Sequence, residues 1–326
     1  MTNSTQATAS FPNSQAATKG LPLETKAQSK SDNSKSKKKK ATKEKTDFYQ
    51  VVTDSIIASL EKGVKPWACP WDTSSCNEMP YNFKSGIQYS GINILLLWGS
   101  ATDQGFKKSA WLTYKQAQEM GAQVRKGEKG TTIIFYKTYA KEDKQTGEEK
   151  TLPVLKTFTV FNIEQMDSID IKETEIIEPI NTLDYSQFAH VEAAIKMTGA
   201  KITEAGNKAF FRPSTDEIYL PPRSTFNSEA DFFATEFHEL THWTGGETRL
   251  DRTKGKRFGD NAYAFEELIA ELGSAFLMAE FNVRGKVQHD SYIDNWIKAL
   301  NNDKRFIFKA ASFASKAHRF ICESVH

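Results

Sequence analysis

The sequence predicts an α+β protein with two folded domains behind a disordered basic tail. Three observations predict it. At Asp47 a segment rich in Lys, Ser and Thr gives way to apolar periodicity. Residues 47–168 mix helical spacing with alternating, strand-like runs. Residues 185–326 read mostly as helices, one of which carries "HELTH" at 238–242. Between them, 169–184 is acidic, contains a proline and reads as a linker.

Composition sets the outer bounds. The chain has 326 residues, enough for two cores, with 39% hydrophobic and 26% charged residues, as expected of a soluble globular protein. The longest apolar run near the front, "INILLLW" at 92–98, is far too short to cross a bilayer, so no membrane association is expected. No charged segment leads into an apolar core at the N-terminus, so no secretory signal is expected either. Three cysteines, Cys69, Cys76 and Cys322, make no even framework and favour a reducing, cytoplasmic setting. Net charge is +2 but uneven: ten lysines against three acids put +7 on residues 1–46 and leave −5 on the rest. Such a tail has too little apolar surface to offset its ordering entropy and is expected to be disordered. Its "KSKKKK" run at 35–40 suits either phosphate attraction or plain solubility.

The elements follow in order. "DFYQVVTDSIIASLEKG" has apolar residues at 48, 52, 56, 57 and 60, a helix stopping at Gly63. "KPWACPWD" at 65–72 is an aromatic, proline-rich turn region, and "YSGINILLLWGSA" is a second, buried helix. Residues 110–121 read as a short helix capped by Thr113 and closed by Gly121. "TTIIFYKTY" and "PVLKTFTVFNIEQM" are strands joined by a charged hairpin loop, with Trp98 and Phe135 expected in the core. In the second domain, "SQFAHVEAAIKMTG" is a helix, and two short strands flank a turn in "GNKAFFRPSTDEIYLPP". Helices are then expected over 229–244, about 262–281, and twice within about 290–322.

The helix over 229–244 has a start signal in Ser228 with Asp231 and a stop in Gly245–Gly246. His238 and His242 lie one turn apart, so two imidazoles can reach one ion from a rigid support. Glu239 follows the first histidine, where it can serve as general base toward a water beside that ion. A catalytic zinc wants three protein ligands and an open position. Glu267 and Glu271, four apart on the next long helix, face the same way. One can bind the ion and the other can accept a hydrogen bond from a ligand histidine. Gly273, Ser274 and Ala275 are small enough for the two helices to approach closely. Tyr263, one turn before Glu267, is a possible oxyanion donor. "DEIYL" at 216–220 is a possible edge for an extended peptide.

"HELTH" followed by "ELIAE" resembles the glutamate-ligand zincin metallopeptidases. That resemblance implies that Glu267 is the third ligand and Glu271 its supporting partner; Glu stands at 271 where Asp is commoner, so the two could exchange roles. The likeness extends further. "HWTGGETRLDR", "YAFEELIAELGSAFL" and "DNWIKALNNDKRFIFKAASFASKA" resemble the metallopeptidase domain of the ArdC antirestriction family. "KPWACPW", "YSGINILLLW", "WLTYKQAQEMGAQVRKGEKGT" and "FTVFNIEQM" resemble that family's N-terminal domain. Together these cover about residues 47–322, without the tail. The resemblance implies a mobile-element protein that binds single-stranded DNA and protects incoming DNA from host restriction. It does not imply that proteolysis is needed.

The first domain interleaves aromatic and basic residues, as strand-binding grooves do. The candidates for DNA contact are Trp67, Trp71, Tyr89, Trp111, Lys115, Arg125, Lys126 and Lys129, although aromatics in a small α+β domain more often fill its core. Two rival readings stand beside the first. One is an active zinc endopeptidase whose N-terminal domain recognises a protein substrate or host restriction factor rather than DNA. The other is a non-enzymatic DNA decoy in which zinc only holds the fold.

Overall fold

Apolar periodicity and capping residues account for most of the elements in the computed structural model, which describes residues 47–67, 78–142, 149–169, 185–252, 261–284 and 292–324. The tail, most of the expected linker and the tip of the hairpin loop lie outside the described residues. Helix α1 (Phe48–Glu61) starts where the Asp47 carboxylate accepts from the Tyr49 and Gln50 amides, and buries Val52, Ile56 and Leu60. It ends before Gly63, whose positive φ of 73° suits glycine. After β1 (Tyr81–Asn82) comes α2 (Ile92–Gln104), with Ile94, Leu97 and Trp98 fully or almost fully buried.

Residues 110–121 correct the expectation of one helix. Ala110–Thr113 are strand β2, and only Tyr114–Glu119 form helix α3. Thr113 does cap that helix, in a reciprocal pair with Gln116. The run Ala-Trp-Leu is buried on both faces, and a run that short has no periodicity to separate strand from helix. Strands β3 (Gln123–Val124), β4 (Thr131–Glu142), β5 (Glu149–Asn162) and β6 (Met166–Asp167) follow. One sheet has the order β1-β2-β5-β4, with β4 and β5 paired antiparallel from Thr131–Val160 outward to Glu142–Glu149; β3 and β6 form a small second ribbon.

The second half opens with α4 (Ala189–Met197), then β7 (Lys201–Glu204), which was not anticipated, β8 (Phe210–Arg212) and β9 (Glu217–Leu220). Their order is β7-β9-β8, so β9 is the central strand. Its backbone is paired on both sides, which overturns the idea that "DEIYL" offers a free edge to a peptide. Four helices complete the chain: α5 (Glu229–Thr244), α6 (Asn261–Glu280), α7 (Ile293–Asn302) and α8 (Phe306–Glu323).

Residues 46–326 form one compact unit. The two segments share a core in which Val52, Ile56, Trp67, Leu95 and Trp98 pack with Leu268, Leu272, Phe276, Trp296 and Ile307. Edge-on ring pairs cross that boundary: Trp67 on Trp296 at 5.6 Å and Trp98 on Phe276 at 5.7 Å between centroids. A separate apolar layer of Val191, Ile218, Phe233, Phe237, Leu277 and Ile321 holds α4, β9, α5, α6 and α8 together.

Helix α5 packs closely on α6. A Cβ at Gly273 would sit 2.5 Å from Thr241 Oγ1 and 2.6 Å from its Cγ2, too close for any side chain. Next to it, Ser274 Oγ donates to the Ala234 carbonyl at 2.8 Å. Thr241 lies between the two motif histidines, so pressure there acts on both. Gly273→Ala is therefore expected to destabilise by about 1–3 kcal/mol, the usual range for overpacking. It should weaken divalent-metal binding as well. Chemical denaturation and metal titration would check the pair; an unchanged midpoint with unchanged affinity would refute the close-packing argument.

Candidate metal centre

Helix α5 begins where Ser228 Oγ accepts from the Asp231 amide at 3.2 Å. Its apolar side, Phe233, Phe237 and Leu240, is fully buried, which rigidly sets the direction of the opposite side. His238 and His242 project there, with their Nε2 atoms 3.2 Å apart. Glu267 comes across from α6: its Oε2 is 3.5 Å from His238 Nε2 and its Oε1 is 3.5 Å from His242 Nε2. An ion in tetrahedral coordination, with nitrogen and oxygen donors at about 2.0–2.1 Å, places those donors about 3.4 Å from one another. The two nitrogens lie near that spacing and each faces one oxygen of the Glu267 carboxylate, so the three residues suit a divalent ion. Glu267, not Glu271, makes the third corner.

Two of the three donors, His242 and Glu267, are held from behind. His242 Nδ1 lies 3.2 Å from Glu266 Oε1, so its N–H donates there and its Nε2 lone pair faces the centre. Arg252 clamps Glu266 with two bonds, from Nε at 3.1 Å and Nη2 at 2.8 Å. The same guanidinium donates to the Thr241 carbonyl at 2.6 Å and to Thr244 Oγ1 at 2.8 Å, a cation capping the end of α5. His238 Nδ1 lies 4.0 Å from Glu271 Oε1. Tyr263 bonds toward Glu267, and its hydroxyl is 3.2 Å from that of Tyr292. Burial and the Tyr292 and Glu267 neighbours raise its pKa, so it stays a neutral donor.

The charge environment follows from burial and pairing. Burial would raise the Glu266 carboxyl, but His242 and Arg252 outweigh it and hold the group at about 2. Glu267 is likewise lowered, because His238 and His242 overcome its desolvation. Glu271 goes the other way: burial raises it, and His238, Lys65 and the Trp67 indole only partly offset this. Burial would lower the His238 imidazole, but the bond to Glu267 and the charges of Glu239, Glu271 and Glu267 push it up to about 9. A proton and a metal ion therefore compete for the same ring nitrogen.

Four contributors escaped the sequence reading: Glu266, Arg252, Tyr292 and Lys65. Glu266 stood among the acids of its helix, but one residue beside Glu267 its role depends on a rotation that spacing does not reveal. Arg252 lies after the helix stop, and Lys65 comes from the other half of the chain.

The expected DNA contacts are scattered. Trp67 is 1% exposed and Trp111 0%, so neither presents a face to a base: one packs on Trp296 and the other on Phe106. Trp71 lies outside the described residues. Tyr89 is half-buried, with its hydroxyl near Asn82 Nδ2. Arg125 is engaged by Glu128 at 2.9 Å and the Glu164 carbonyl at 2.6 Å. Lys115, Lys126 and Lys129 are exposed. Phe135 corrects the core expectation: it is 57% exposed and pairs edge-on with Phe158, 46% exposed, on the outer face of β4–β5. Tyr114 is also exposed and, with Phe161, Arg125 and Lys126, lines a shallow cleft of about 520 Å³.

The fold and the centre together define a zincin-like metallopeptidase unit joined to a smaller α+β domain. Residues 189–313 match a family described as zincin-like metallopeptidase, and residues 46–161 match the N-terminal domain of anti-restriction factor ArdC. The metal-free crystal structure of antirestriction protein ArdC from plasmid R388 is 42% identical with a TM-score of 0.73, covering 86% of this chain and 98% of that one. Its Mn(II)-bound crystal structure gives 39% identity and a TM-score of 0.70 over the same shares. A DNA primase TraC of Escherichia coli is 38% identical over 296 residues, 85% of this chain but only 20% of that protein. The uncharacterized protein y4eC of Sinorhizobium fredii (strain NBRC 101917 / NGR234) is 37% identical, over 83% of this chain and 90% of that one. The chain belongs to the ArdC antirestriction family. No helix among the described residues is long and apolar enough to cross a membrane.

The Glu266–Arg252 pair makes a pH-dependent contribution. Because the folded carboxyl sits at about 2 rather than 4.5, its stabilisation is complete above about pH 4.5 and is lost as pH falls through about 2. In chelator-treated protein, Glu266→Gln should flatten acid unfolding over that window. Arg252→Ala, which strands a buried carboxylate, should cost about 3–5 kcal/mol. Urea midpoints measured from pH 6 to 2.5 would check both, and parallel curves for wild type and Glu266→Gln would contradict the assignment.

Proposed function

We propose that this protein binds single-stranded DNA through its N-terminal half, protects incoming DNA from restriction in the cytoplasm, and carries a zinc metallopeptidase-like centre at His238, His242 and Glu267. The observation that carries the reading is the convergence of two imidazole nitrogens and one carboxylate at tetrahedral spacing, in a chain of the ArdC family. Nitrogen and oxygen donors in this number suit zinc best, although the Mn(II)-bound relative means that other divalent ions compete.

A bound ion would polarise a carbonyl and make water acidic enough to attack near neutral pH. The protein's own groups divide the remaining work. Glu239, buried beside His238, would accept the proton of the attacking water and return it to the leaving amine. Glu266 keeps the His242 imidazole oriented. Tyr263 would steady Glu267 and, with its raised pKa, remain able to donate to a developing oxyanion.

For DNA, the exposed rings of Tyr114, Phe135 and Phe158, with Lys115, Lys126, Lys129 and Lys156, replace the buried tryptophans as the contact surface. Bases stack on open aromatic faces while lysines track phosphates, which supports sequence-tolerant, salt-sensitive binding.

A paired assay tests the reading. Glu239→Gln is expected to keep stoichiometric metal and full oligonucleotide affinity, while any peptidase turnover falls about 10²–10⁴-fold. Phe135→Ala with Phe158→Ala should weaken single-stranded DNA binding by about 1–3 kcal/mol per stacked base, and protection of transferred DNA should fall with it. Loss of metal in Glu239→Gln would remove it from the role of base. Absence of any oligonucleotide affinity in wild type would favour an endopeptidase that recognises protein.

A further inference from the structure

A second group of metal-binding side chains lies at the far end of α6. His318 and Cys322 are one turn apart on α8, and Glu280 is the last residue of α6. His318 Nε2 is 3.3 Å from Glu280 Oε2 and 3.6 Å from Cys322 Sγ. All three donor atoms fall within 4.8 Å of one another. For zinc with nitrogen or oxygen at about 2.0–2.1 Å and sulfur at about 2.3 Å, tetrahedral edges come to about 3.4 Å for N to O and about 3.6 Å for N to S. The two measured edges match. The third, between sulfur and carboxylate, lies within 4.8 Å, and the Glu280 side chain is 28% exposed.

The geometry distinguishes an ion site from a nucleophile relay. A thiol–imidazole–carboxylate relay places the thiol on one ring nitrogen and the acid on the other. Here sulfur and carboxylate both approach Nε2, so the three groups point to one location in space instead of forming a chain.

We propose that Glu280, His318 and Cys322 form a second divalent-metal site, selective for zinc through its thiolate. It is distinct from the His238 centre: thirteen residues of α6 separate Glu280 from Glu267, about 20 Å of helix. His318 is buried and held on α8, which supplies a rigid half-site, while Glu280 and the solvent side give an ion its route in. Gln88, from the N-terminal half, donates to Glu280 Oε2 at 2.8 Å, so the carboxylate is oriented by the other half of the chain. An ion there would tie the ends of α6 and α8 together beside that contact.

Cobalt(II), a zinc substitute with a near-ultraviolet thiolate charge-transfer band, tests this. The His238 centre contains no sulfur, so in protein whose only thiol is Cys322 the band reports on the second site and is independent of the proposed function. Full-length protein with Cys69→Ser and Cys76→Ser retains one thiol and is expected to show the band, saturating at one cobalt per chain beyond the first. Cys322→Ser in the otherwise unaltered chain should reduce the band by the same amplitude with an unchanged far-ultraviolet circular dichroism spectrum. Glu280→Gln, a conservative change at a solvent-reachable group, should weaken this cobalt binding at least tenfold without altering the first equivalent. Absence of the band in folded single-thiol protein, or Glu280→Gln binding with wild-type affinity, would overturn the proposal. If the single-thiol variant does not fold, the Cys322→Ser comparison in the natural background decides: an undiminished band overturns the site.

Discussion

The contact between Gly273 and Thr241 sets how near α6 can come to α5, and that distance determines whether a metal centre exists. His238 and His242 are short side chains on one rigid helix. They cannot reach outward for a third ligand, so the ligand must be brought to them. Glycine at the crossing removes the Cβ that would hold the helices apart, and the Ser274 bond to the Ala234 carbonyl locks the position. With the backbones this close, Glu267 reaches both Nε2 atoms at the same 3.5 Å.

That approach concentrates charge. Glu239, Glu266, Glu267 and Glu271 are all buried at or beside the centre, with Arg252 and Lys65 as the buried cations among them. Four carboxylates against two fixed cations, with neutral imidazoles, leave a deficit that one divalent ion matches. Desolvating unpaired charge is expensive, so the arrangement is stable only if the deficit is met. The surrounding carboxylates push His238 up to about 9, while Glu271 is raised chiefly by its burial. Protons and metal are thus alternative counter-charges, which couples metal affinity to pH.

Much of this was legible in the sequence, for definite reasons. Ser228 and the double glycine at 245–246 bracket α5 because capping and stop signals are local. The small residues at 273–275 announced a close crossing. What could not be read was side-chain direction across distance. Glu266, Glu267 and Glu271 share a helix, and their different partners depend on a rotation that only packing against α5 and Arg252 decides. Aromatics were ambiguous for a related reason: a ring beside lysines suits a groove or a core equally. Trp67 and Trp111 proved to be core, whereas Phe135, from an apolar run, stands on the open face of β4–β5. The strand at Ala110–Thr113 was hidden because four residues carry no period.

The position of "KPW" changes how the two halves relate. Read along the chain, it belongs to the N-terminal domain. In space, Trp67 packs on Trp296, and Lys65 and Trp67 both lower the carboxyl of Glu271, whose Oε1 is 4.0 Å from Nδ1 of the candidate ligand His238. The N-terminal segment therefore supplies part of the wall and part of the counter-charge of a centre whose ligands all come from the other half. The shared core, with α1 and α2 packed among residues of α6, α7 and α8, makes independent movement of the halves costly, because it would expose those side chains to water. The outer strand pair is tied inward: Asn93 on α2 bonds both the amide and the carbonyl of Ile134, and α2 packs through Trp98 on Phe276, less than one turn beyond Gly273 on α6. Each contact in that chain is buried or partly buried, so the strand pair and the candidate ligands are packed on the same helices.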